Sequence, residues 1–151
     1  MVFVVNNDAV GPVAVKANGD GFALQMAVKN GYRLLIISGS NSPQVTERLE
    51  KLGISNIHMA VQDKKSFVLH FMSENGLSPE EVLYMGDDLP DLPALSVVGL
   101  ASCPADAADD VREAVQYISP VRGGFGCVRD VIEKVLRLND HWNYREDVAS
   151  R

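Results

Sequence analysis

The sequence predicts an α/β fold: a doubly wound, mainly parallel sheet with helices on both faces. Two observations carry this. Short apolar runs alternate along the chain with stretches of helical periodicity, and glycines and prolines stand where helices should stop and start. Strands alternating with helices of this length imply parallel crossovers. The 151 residues, 46% apolar and 23% charged, suit one globular domain with a real core, assigned to 1–138, with a polar tail over 139–151.

Residues 33–37 (RLLII) read as a buried strand. Ser42-Pro43 then supplies an N-cap and a first-turn proline, Val45, Leu49 and Leu52 form an apolar stripe, and Gly53 marks the helix end. Residues 57–60 read as the next strand, followed by a helix from about Lys64 to Asn75 with Gly76 as its stop. Ser78-Pro79-Glu80-Glu81 has the form of a capping box on a single helical turn. Residues 82–85 (VLYM) and 98–101 are two more strands, and Val128, Val131, Ile132 and Val135 share one face of a C-terminal helix.

The net charge of −6 and pI near 5.0 argue against nucleic acid as a partner, because phosphate backbones attract basic surface. No stretch approaches the ~20 apolar residues of a membrane span. Met-Val-Phe-Val-Val is too short for a signal-peptide core, so a soluble cytoplasmic protein is expected. Cys103 and Cys127 lack metal-ligand spacing and read as reduced, buried thiols. His58, His70 and His141 form no metal cluster, and Trp142 is a tail aromatic more suited to packing than recognition.

In a doubly wound sheet, ligands bind off the carboxyl ends of the strands. Three such ends stand out: Ser38-Gly39-Ser40, Asp63-Lys64, and Gly86-Asp87-Asp88-Leu89-Pro90-Asp91. Singly, a Ser-Gly is ordinarily a turn, Lys64 a helix-start lysine, and Asp88 or Asp91 a helix cap. Together they suit phosphoryl chemistry. Ser38, nearby amides and Lys64 offer donors and positive charge to phosphate oxygens. Asp87 and Asp88 repel one another unless a cation intervenes, and magnesium, which takes oxygen ligands and keeps several waters, is the natural one.

Ser38, Lys64 and Gly86-Asp87-Asp88-x-x-Asp91 resemble the second, third and fourth motifs of the haloacid dehalogenase superfamily. Asp20 to Leu24, Leu52-Gly53-Ile54, Asp63-Lys64, Val98-Gly99-Leu100, Pro104 to Ala107 and Arg122 to Asp130 narrow the likeness to the 3-deoxy-D-manno-octulosonate 8-phosphate phosphatase family, over about residues 10–138. The resemblance implies a Rossmann-like haloacid dehalogenase sheet with a β-hairpin flap and no cap domain. It implies magnesium-dependent hydrolysis of a small phosphorylated sugar acid, for lipopolysaccharide synthesis, by a homotetramer. By the same resemblance Ser38, Gly39 and Lys64 bind the phosphoryl group, Asp87 and Asp88 hold magnesium, and Asp91 orients Lys64 and its loop. Arg122 to Arg129 would belong to a subunit contact.

The superfamily's first motif, Asp-x-Asp at the end of the central strand, supplies the nucleophile and then the general acid and base. No Asp-x-Asp precedes Ser38. In one reading Val2–Val5 and Val13–Lys16 are the two strands of the flap hairpin, and the nucleophile strand lies upstream of Met1. In the other, Val2–Val5 is the central strand and Asn6-Asn7-Asp8 a degenerate first motif. Motif spacing favours the hairpin; the exposure of a sheet lacking its middle strand favours the second. Spacing is given the greater weight. Either way the chain as written should be nearly inactive. The alternatives are a catalytically dead oligomerisation or ligand-binding domain, resembling the C-terminal domain of vertebrate sialic acid cytidylyltransferases, and a phosphatase for a related sugar acid. Ser40 stands where the family often has arginine.

Overall fold

The computed structural model describes residues 1–6 and 20–143, with backbone alone at 6 and 20. The strands are β1 (Val2–Asn6), β2 (Arg33–Ile37), β3 (Ile57–His58), β4 (Val82–Met85), β5 (Leu100–Cys103) and β6 (Tyr117–Ile118). The helices are α1 (Asp20–Lys29), α2 (Pro43–Lys51), α3 (Lys64–Glu74), α4 (Leu92–Leu95), α5 (Asp109–Ala114) and α6 (Cys127–Leu138). The strands form one sheet in the order β3-β2-β1-β4-β5-β6, each paired parallel to its neighbours. No cap domain occurs among the described residues, and none of their helices is long and apolar enough to cross a membrane.

The period-two alternation of strand side chains divides the core into two layers. Phe3, Val5, Leu34, Ile36, Leu83 and Met85 pack under α1, α2 and α6; Val4, Leu35, Ile37, Val82 and Tyr84 pack against α3, α4 and α5. The punctuation acts as its chemistry requires. Ser42 caps α2 by accepting from Val45 N, and Asp63 caps α3 by accepting from Ser66 N at 3.0 Å. Gly53 and Gly76 take the left-handed conformation (φ 88° and 61°) that ends each helix at no side-chain cost. The Ser78–Glu81 capping box closes on a 3₁₀ turn, Pro79–Glu81.

The structure overturns the preferred reading of the N-terminus. Val2–Asn6 is the central strand, in parallel register with β2 (Val2↔Arg33 to Asn6↔Ile37) and with β4 (Val2↔Val82 to Val5↔Met85). Val2, Phe3, Val4 and Val5 are each at most 3% exposed. A run apolar on both faces suits the middle of a parallel sheet and would waste half its surface on a two-stranded flap. The flap's second strand, Val13–Lys16, lies outside the described residues.

Two smaller differences have local causes. β3 pairs over two residues, because Ala60 turns the chain at φ 56°. β5 begins at Leu100, two residues after the expected start. Gly99 N donates to Pro79 O at 2.7 Å, in a contact so close that a β-carbon at Gly99 would strike the Pro79–Glu80 backbone.

Candidate active site

The parallel register brings the chemistry-bearing residues to one rim. Asn6 pairs with Ile37 and Val5 with Met85, so Ser38 and Gly86 follow the two strands that flank the end of β1. A single rim therefore carries Asn6, the Ser38 turn and the acidic loop. This juxtaposition requires Val2–Asn6 in the middle of the sheet.

The acidic loop is organised around one buried carboxylate. Asp91 is 1% exposed. Its Oδ2 accepts from Asp87 N at 3.0 Å and Asp88 N at 3.2 Å; its Oδ1 accepts from Tyr84 OH at 2.9 Å and Lys64 Nζ at 3.3 Å. A carboxylate removed from water needs such a donor set to satisfy its lone pairs. Gly86 makes the fold of this loop possible, since a β-carbon there would stand 2.5 Å from Asp91 Cγ.

Lys64 begins α3, which its neighbour Asp63 caps, and its side chain is 11% exposed. The Lys64–Asp91 pair ties the third strand end to the fourth. Asp88 is exposed and its Oδ1 accepts from Leu89 N at 2.8 Å, capping the 3₁₀ turn Leu89–Asp91. Ser38 is fully buried: its hydroxyl lies 3.0 Å from Ser40 Oγ and accepts from Ser40 N at 3.1 Å. Its backbone N donates to His58 O and its carbonyl accepts from Val61 N, which staples the β2 and β3 ends together. Gly39 is exposed beside it.

Asp87 is the electrostatically strained member. Burial, and then the negative charges of Asp91, Asp88 and Asp106, push its carboxyl up to about 6, with Lys64 opposing. A carboxylate held so high beside three others is a place where a divalent cation would relieve charge. Among the described residues no three His, Cys, Asp or Glu side chains converge as a complete metal cage. Magnesium asks for less, one or two carboxylates with waters and substrate phosphate. Asp87 and Asp88 fit that role.

Three participants escaped the sequence reading. Tyr84 was read as core alone, although a tyrosine among fully buried strand residues needs a partner for its hydroxyl, which is a usable signal. Ser40 was placed in the turn and noted for the arginine it replaces, not as the partner of the Ser38 hydroxyl. Asp106, read as part of a motif, adds to the field at Asp87 and accepts from Gly123 N at 2.9 Å, linking the segment after β5 to the glycine-rich turn. Ala108 N donates to Asp87 O at 2.9 Å, which ties the acidic loop to that same segment after β5. A surface cleft of about 670 Å³ lies beside β3 near His58, Phe67 and His70 and contains none of Ser38, Lys64, Asp87 or Asp91.

Comparison with known proteins agrees with this fold. The model of the haloacid dehalogenase-like hydrolase family matches residues 22–99. A 3-deoxy-D-manno-octulosonate 8-phosphate phosphatase of Haemophilus influenzae is 30% identical over 118 residues, covering 78% of this chain and 66% of that protein. The chain thus spans slightly less than two thirds of the curated relatives it matches first. The Yersinia pestis phosphatase structure superposes with a TM-score of 0.86 at 24% identity, over 99% of this chain and 86% of that one, a likeness of fold. The Moraxella catarrhalis phosphatase, solved with magnesium, phosphate and the free sugar acid, gives a TM-score of 0.82 at 29% identity, over 90% of this chain and 85% of the other. The chain belongs to the haloacid dehalogenase-like hydrolase family, and the relatives it resembles there are 3-deoxy-D-manno-octulosonate 8-phosphate phosphatases.

Proposed function

We propose that this chain carries the phosphate and magnesium site of a 3-deoxy-D-manno-octulosonate 8-phosphate phosphatase, and that with Asn6 at the end of the central strand it binds its substrate while hydrolysing it little. The observation behind this reading is the register of β1: Asn6 stands between the Ser38 turn and the acidic loop, where the superfamily's nucleophilic aspartate belongs. A neutral amide neither attacks phosphorus nor contributes a charged ligand.

In this reading Lys64 and the amides of the Ser38-Gly39-Ser40 turn receive the phosphoryl oxygens, with the buried Ser38 hydroxyl fixing that turn. Asp87 and Asp88 hold magnesium, and Asp91 sets the position of Lys64 through its Oδ1 and of both loop amides through its Oδ2. Bound magnesium would neutralise phosphate charge and polarise the phosphoryl oxygens. A cytoplasmic homotetramer, with Arg122–Arg129 at a subunit contact, goes with the same proposal. A phosphatase for another sugar-acid phosphate would share every residue named here.

Calorimetry of inorganic phosphate binding, with and without magnesium chloride, tests the site. The proposal expects binding that requires magnesium and weakens at least about tenfold on Lys64→Ala or Asp87→Ala, since charge-assisted hydrogen bonds contribute about 1.5–3 kcal/mol each. Phosphate binding indifferent to magnesium and to both substitutions would refute it.

A further inference from the structure

Beneath the acidic loop, on the face of the sheet packed against α3 and α4, the Tyr84 side chain is fully buried. Its hydroxyl donates to Asp91 Oδ1 at 2.9 Å, the same oxygen that accepts from Lys64 Nζ at 3.3 Å. Asp91 Oδ2 is engaged separately by the two loop amides. The carboxylate therefore divides its work: one oxygen fixes the loop, and the other is shared between a phenol from below and an ammonium at the rim. Ser102 Oγ donates to Tyr84 O at 3.0 Å and fixes the strand from which the phenol projects.

Sharing has a consequence. A hydrogen bond donated to one carboxylate oxygen draws on its negative charge and occupies a lone-pair direction. Lys64 then has less reason to close fully onto Asp91 and can turn its remaining N–H groups to an anion. Burial, with Asp91 beside it, raises the phenol well above its ordinary range, so the hydroxyl remains a donor at any pH at which the protein works.

We infer that Tyr84 is a positioning residue for anion binding: its hydroxyl shares Asp91 Oδ1 with Lys64 and so holds the ammonium available to a phosphoryl group. This inference rests on the proposed phosphate site. It assigns Tyr84 to phosphate rather than to magnesium, because the oxygen that anchors the Asp87–Asp88 amides is the other one.

The experiment uses the full chain and two titrations, magnesium chloride alone and inorganic phosphate at saturating magnesium. Tyr84→Phe deletes one oxygen and adds no atom. It should weaken phosphate about tenfold, the loss of one moderate hydrogen-bond contribution, while magnesium affinity stays within about twofold, which also shows that the loop remains folded. Val82→Ala, a core truncation at the opposite end of the same strand, controls for lost stability and should change neither affinity. If the unaltered chain binds phosphate and Tyr84→Phe binds it equally well, the inference fails and the site proposal stands. A parallel fall in magnesium and phosphate affinity would make Tyr84 merely structural and also overturn the inference. If the unaltered chain binds no phosphate with magnesium, the site proposal fails and the inference falls with it.

Discussion

Replacing Asp91 with alanine removes the acceptor of at least four hydrogen bonds at a position 1% exposed. Two of the stranded donors are costly. The Tyr84 hydroxyl is buried and would lose its acceptor, at about 1–3 kcal/mol. Lys64, 11% exposed, would lose its counter-charge in a poorly hydrated place. The two loop amides lie nearer the surface and can turn to water. The net loss should be about 3–5 kcal/mol, a large part of the ~5–15 kcal/mol that separates folded from unfolded domains. Urea denaturation followed by circular dichroism would measure it as a lower midpoint at unchanged slope. Thermally it corresponds to a fall of about 10–15 °C for a domain of this size. Asp91→Asn keeps the shape and one acceptor oxygen and should cost clearly less than alanine. A loss below ~1 kcal/mol for Asp91→Ala would refute the claim that this carboxylate organises the loop.

Other consequences follow from the same geometry. Asp87 is raised to about 6 in the folded chain and titrates near the ordinary carboxylate value once unfolded, so the folded state binds the extra proton between these limits. Its contribution to the stability of metal-free protein should therefore fall as pH rises from about 4 to 6. After discounting for solvent screening the effect is about 1–2 kcal/mol, read as the difference between wild type and Asp87→Asn, which removes the opposing acid-range contributions of Asp130 and Glu133. A difference independent of pH would contradict this. Gly86→Ala forces a β-carbon to within 2.5 Å of Asp91 Cγ and should cost about 1–3 kcal/mol together with magnesium binding; full retention of both would show that the loop yields freely. Trp142, the chain's single tryptophan, meets the Phe22 ring edge-on with centroids 5.8 Å apart, so its fluorescence should shift to the red on Phe22→Ala and not on the distant Val82→Ala.

The placement of the site residues on one rim was legible in the sequence, because parallel α/β topology sends the residues after each buried strand to one edge of the sheet. Ser38, Lys64 and the Asp87–Asp91 loop needed only strand ends and order. Val2–Val5 was misplaced because motif spacing was weighed above burial, although four successive apolar residues describe a strand covered on both faces. β6 escaped notice because Tyr117-Ile118 is too short to show a period, and its pairing with β5 comes from the tertiary fold. Tyr84 hid for a different reason. Hydropathy records its ring as core, and the polar end acquires meaning only when Asp91 lies beneath the loop seven residues on.

In the proposed function Asn6 occupies the nucleophile's place and withholds the chemistry from an otherwise assembled site. The most direct measurement is phosphate release from 3-deoxy-D-manno-octulosonate 8-phosphate, with magnesium, by the chain carrying Asn6→Asp. The rate should rise at least about a hundredfold above that of the unaltered chain, some 2.7 kcal/mol off the barrier, and be lost again when Asp87→Ala is added. An Asn6→Asp chain no faster than its parent, or a parent already turning over at the restored rate, would contradict it.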